Sequence, residues 1–66
     1  MILLTKLNGT GFYLNSDLIE RIEMESDTLI TLNDGKTIRV IESGDQIVDR
    51  IVAYKKKIYN KEIGVK

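Results

Sequence analysis

The stretch 27–42, DTLITLNDGKTIRVIE, carries the clearest pattern in the chain: two β-branched and aliphatic runs separated by Asn33-Asp34-Gly35. This spacing predicts a β-hairpin. Its register follows from which faces each choice creates. A two-residue Asp34-Gly35 turn sets Ile30 against Arg39 and Leu29 against Val40. A three-residue Asn33-Asp34-Gly35 loop pairs Ile30 with Ile38 and Thr31 with Thr37. Ile30, Leu32, Ile38 and Val40 then share one face, and Leu29, Thr31, Thr37 and Arg39 the other. A one-residue slip turns every side chain over, so burial selects the second register. Gly35 then takes the positive-φ position, where a side chain costs about 1 kcal/mol.

The opening segment, 1–14, gives the same answer around Asn8-Gly9. A Leu7-Asn8-Gly9 loop pairs Leu4 with Phe12 and Ile2 with Leu14, gathering four large apolar side chains on one face. Leu3, Thr5, Gly11 and Tyr13 fall on the other. Between the hairpins, Asn15-Ser16-Asp17 is a turn or capping cluster with a single helical turn at Leu18 and Ile19. A third strand follows, with Ile22 and Met24 inward and Glu23 and Glu25 outward. It is expected to begin near Glu20 or later, because a start at Leu18 would turn Glu20 into the core without a partner.

After Glu42 the period changes from two to that of a helix, expected over about 44–60 with a frayed tail at 61–66. Ser43 and Gln46 fit a capping box, with Asp45 and Asp49 near the positive end of the helix and lysines near the negative end. Ile47, Ile51, Tyr54 and Ile58 form the inward stripe, widened by Val48, Val52 and Tyr59. The expected fold is therefore α+β, a single domain over 1–66. It has an antiparallel sheet of about five strands (two hairpins plus a connecting strand) with one amphipathic C-terminal helix across one face. The predicted core is Ile2, Leu4, Phe12, Leu14, Ile22, Ile30, Leu32, Ile38 and Val40 against the four stripe residues.

Sixty-six residues without cysteine lie near the lower size limit for unaided folding, which makes self-association an expectation. The apolar run at 1–4 is shorter than a signal-peptide core, and no stretch approaches a membrane span, so a cytoplasmic protein is expected. The net charge is zero, but residues 1–43 carry four basic and seven acidic side chains, whereas 44–66 carry six and three.

Catalytic chemistry finds little footing. Histidine and cysteine are both absent, which removes the commonest general base and the thiol nucleophile. Ser16, Ser26 and Ser43 stand in turn or capping contexts. Glu20, Glu23, Glu25 and Asp27 make an acidic strip without Ca²⁺-loop spacing, and Gly9 and Gly11 bracket a turn rather than opening a helix. No catalytic, cofactor-binding or metal-binding residue is assigned. The candidate interface with a partner or subunit is the outer sheet face, Leu3, Tyr13, Leu29, Thr31, Thr37, Arg39 and Ile41. A second candidate is the lysine cluster Lys55, Lys56, Lys57 and Lys61, which could touch nucleic acid.

Three strings resemble one family. ILLTKLNG at the start, FYLNSDLIERIE after it and DTLITLNDGKTIRVIES before the helix are together similar to the FlbD/SwrD family of small flagellar proteins. Ile2, Leu4, Thr5, Lys6, Leu7, Asn8 and Gly9 match its opening string. Residues 14–23 and 27–35 match its central ones, and Ser26 replaces an expected proline. The resemblance covers about residues 2–60. It implies a cytoplasmic bacterial protein, peripheral to the flagellar base, that supports motor function and swarming through contact with a protein of the flagellar motor apparatus. The family picture supplies no catalytic residue. ILLTKLNG is also similar to the first strand of carbon storage regulator (CsrA) proteins, small RNA-binding dimers, over about eight residues. The acidic strand faces that follow depart from the arginine-bearing surface of such a binder.

Overall fold

A computed structural model describes the backbone of residues 1–64 and side chains through Tyr59. Each hairpin closes as the face argument requires. Strand β1 (Ile2–Thr5) pairs with β2 (Gly11–Leu14) in the register Ile2↔Leu14, Leu4↔Phe12. Strand β4 (Thr28–Leu32) pairs with β5 (Thr37–Val40) as Ile30↔Ile38, Thr31↔Thr37. The two loops use the same chemistry. The Gly9 N–H donates to the Lys6 carbonyl and the Gly35 N–H to the Leu32 carbonyl, both at 2.9 Å. The side chains of Asn8 and Asp34 accept from backbone N–H groups two residues on, Thr10 and Lys36. Gly9 and Gly35 sit at φ 92° and 89°, and no other residue has positive φ among those described.

Between the hairpins, a 3₁₀ turn (Ser16–Leu18) is capped by Asn15, whose side chain accepts from the Asp17 N–H. Strand β3 (Ile19–Met24) pairs antiparallel with β4 and begins one residue earlier than the sequence predicts. The conflict over Glu20 is resolved by a bulge: Ile19 opposes Leu32 and Arg21 opposes Thr31, leaving Glu20 as the extra, exposed residue. A bulge changes the inward spacing from two to three, so Ile19 and Ile22 both reach the core while Glu20 stays in water. Met24 is corrected in the other direction. Expected inward, it is 61% exposed at the rim, where its sulfur accepts from the Thr28 hydroxyl at 3.6 Å.

The five strands fall into two sheets, β1–β2 and β3–β4–β5, instead of one continuous sheet. A single Lys6↔Val40 bridge and a bond from the Ile41 N–H to the Thr5 carbonyl, 3.0 Å, join them. Beyond that point the chain leaves the sheet for the helix, so no strand backbone continues along the β1 edge.

Helix α1 (Gly44–Gly64) starts with the expected capping box: the Ser43 N–H donates to the Gln46 side chain at 2.9 Å, and the Gln46 N–H to the Ser43 hydroxyl at 3.2 Å. The helix runs to Gly64, four residues past the expected end, through a sequence with no proline to stop it. Residues 65 and 66 of the expected tail lie outside the described ones. α1 packs on β1 and β3. Its Ile47 is fully buried with Ile2, Leu4, Leu14, Ile30 and Val40, and Phe12, Ile19, Ile22, Leu32, Ile38, Ile51 and Tyr54 surround that centre. Ile58, expected in the core, is half-buried outside this cluster. Packing ends at Tyr54, and the helix continues past it.

Candidate functional site

The outer sheet face divides into two unlike halves. On the N-terminal hairpin, Leu3 and Tyr13 are directly opposite each other and are 49% and 70% exposed. A methyl of Leu3 lies 3.7 Å from where a Cβ on Gly11 would stand, so the missing side chain leaves room for it. Ile41 is tied to Thr5 through its backbone and is also exposed. These three side chains form an apolar corner.

On the three-stranded sheet the same face is covered by charge. Leu29 lies between Glu23 and Arg39 across the strands, and Thr31 between Arg21 and Thr37. Arg21 pairs with Glu20 at 2.9 Å and with Glu23 at 3.2 Å. Arg39 pairs with Asp27, and with Glu25 at 3.3 Å. The hydrogen bond that Arg39 donates to Asp27, reinforced by the one to Glu25, raises the Arg39 pKa above its ordinary value. Thr31 is buried and Leu29 half-buried, whereas Thr37 and Arg39 are exposed. Of the seven candidate interface residues, Leu3, Tyr13 and Ile41 therefore make an accessible apolar surface. Leu29 and Thr31 lie beneath or between charged neighbours. The acidic strip is engaged by arginine, and no group of three or more metal-capable side chains occurs among the described residues.

The lysine cluster does not gather into a patch. Consecutive helical residues point about 100° apart, so Lys55, Lys56 and Lys57 fan around the axis. The Lys55 ammonium donates to Asp17 at 3.1 Å, which raises its pKa and ties α1 to the 3₁₀ turn. Lys56 and Lys57 are exposed, and the Lys61 side chain lies outside the described residues.

Sequence reasoning did not single out Glu42, which is only 5% exposed. Its carboxylate accepts from the Thr5 N–H at 2.9 Å, the Thr5 hydroxyl at 2.8 Å and Arg50 at 3.0 Å. The same Arg50 nitrogen donates to the Leu3 carbonyl at 2.7 Å. Leu3 and Thr5 aim these backbone groups away from β2, so a side-chain carboxylate and a guanidinium satisfy the β1 edge where a neighbouring strand would otherwise lie. This substitution accounts for the division into two sheets. Burial pushes the Glu42 pKa up, but bonds from the Thr5 N–H and hydroxyl, its own backbone N–H and Arg50 outweigh burial and hold it below the ordinary value. One signal was available: Val40 and Glu42 are two apart, so the inward alternation of β5 leads to Glu42.

These features describe a small α+β domain with an apolar corner on one hairpin and an ion-paired face on the three-stranded sheet. A model of the FlbD family, flagellar and swarming motility proteins, matches residues 1–59, and the chain belongs to that family. Its role accordingly lies in flagellar and swarming motility. Neither the curated proteins nor the solved structures give a match. No helix among the described residues is long and apolar enough to cross a membrane.

Proposed function

We propose that this protein serves flagellar and swarming motility as a non-enzymatic interaction module, docking a protein of the flagellar motor apparatus on the cytoplasmic side of the flagellar base. The observation that carries the reading is the exposed Leu3–Tyr13 pair with Ile41 beside it. Opposed aromatic and aliphatic side chains on a pleated surface present a rigid apolar anchor at low entropic cost, which is the usual make-up of an interface centre. The absence of histidine and cysteine supports a binding role over a catalytic one.

The test complements a deletion strain with the wild-type chain, Leu3→Asp or Tyr13→Ser, scoring swarming alongside affinity capture from flagellated cells. Both substitutions fall at exposed positions, so the variants should keep the wild-type circular dichroism and melting. The expected result is loss of both swarming and a specific captured flagellar protein. Normal motility without the protein, or full rescue by a Leu3→Asp, Tyr13→Ser double variant, would overturn the proposal.

A further inference from the structure

The helix carries a second apolar stripe that the sheet leaves uncovered. Val48, Val52 and Tyr59 are 50%, 45% and 57% exposed. Taking Ile47 as zero and about 100° per residue, they fall between roughly 100° and 140°, while the core residues Ile47, Ile51 and Tyr54 cluster near zero. One further exposed apolar side chain, Met24, is placed beside α1. The Met24 sulfur is 3.3 Å from where a Cβ on Gly44 would stand. The stripe thus has an apolar shoulder on the β3 side.

Its other border, near 180°, carries Asp45, Asp49 and then Lys56, all exposed and none ion-paired among the described residues. This order identifies the occupant. A twofold interface must complement itself. In two parallel copies the twofold axis sets this border of one helix against the opposite border of the other, so Asp49 and Lys56 would not meet. Two antiparallel copies, centred between Ala53 and Tyr54, place Val48 opposite Tyr59 and bring Asp49 of each within about two residues of Lys56 of the other. Antiparallel helices also oppose their dipoles favourably. We propose that the chain forms an antiparallel homodimer through Val48, Val52 and Tyr59 of α1, with reciprocal Asp49–Lys56 pairs along its border. This surface is separate from the hairpin corner, so either assignment can fail alone.

The 66-residue chain is examined by sedimentation equilibrium from micromolar to several hundred micromolar. A concentration-dependent dimer is expected. Val52→Asp should weaken it at least tenfold while leaving the circular dichroism spectrum unchanged, since Val52 is outside the core. Asp49→Lys should weaken it as well, and adding Lys56→Asp to that variant should restore it. Because the protein has no cysteine, single spin labels at Val52→Cys and Asp45→Cys read the orientation. Antiparallel packing predicts separations of about 10 Å and about 25 Å respectively, whereas parallel packing gives about 10 Å at both. A monomer throughout the range, equal label separations, or a dimer lost with Leu3→Asp but not Val52→Asp would overturn the proposal. So would a monomer that loses a heterologous partner on Val52→Asp, since the stripe would then have a different occupant.

Discussion

Glu42 shows how much one side chain can carry in a small domain. Removing it leaves the part-buried Thr5 N–H without an acceptor and Arg50 without its anion, so Glu42→Ala is expected to cost about 2–3 kcal/mol in chemical denaturation. Its depressed pKa also sets a pH dependence. The stabilisation is fully present above the ordinary carboxylate value of 4.5 and is lost as pH falls through the lower folded value. Denaturant midpoints measured from pH 7 to pH 3 should therefore decline less steeply below pH 4.5 in Glu42→Gln than in the wild type. Gly35→Ala places a side chain at positive φ and is expected to lower stability by about 1 kcal/mol. Nothing stands within 4 Å of the added methyl group, so the loss would reflect backbone strain. Gly35 was legible in the sequence because the register depends on it. For Glu42 the alternation of β5 could give the inward direction but not the partners, since those on β1 and α1 become neighbours only in the folded chain.

Among the elements, the helix start and both hairpins were legible for a common reason: each is set by residues no more than twelve apart. Ser43→Ala removes one half of the capping box and should destabilise the protein by about 1 kcal/mol in thermal or urea melts. Strand β3 was harder to read. The bulge at Glu20 breaks the alternation from which a strand is recognised, and it hid Ile19 from the predicted core while suggesting a later start. The split of the sheet was equally hidden, because the carboxylate takes the strand position beside Thr5, a residue 37 positions away in the chain. The candidate interface was legible as a face but not as two halves. Nothing in Leu29 or Thr31 indicates that Arg21 and Arg39 will lie across their neighbours.

At the scale of the whole molecule, local and distant contacts are unevenly distributed. The three-stranded sheet closes through short turns, and each hairpin is complete within its own segment. The N-terminal hairpin, in contrast, is fastened to the rest through Thr5 and Glu42, 37 residues apart. Closing so long a loop carries an entropic cost that short turns avoid. The fastening is therefore expected to form after the main folding barrier. In stopped-flow chevrons, Glu42→Gln should then steepen neither arm but raise the unfolding rate and leave the folding rate close to wild type. A comparable slowing of folding would place the carboxylate in the nucleus instead. On this account the carboxylate at the β1 edge acts as a brake on escape, governing how long the native state lasts once it has been reached.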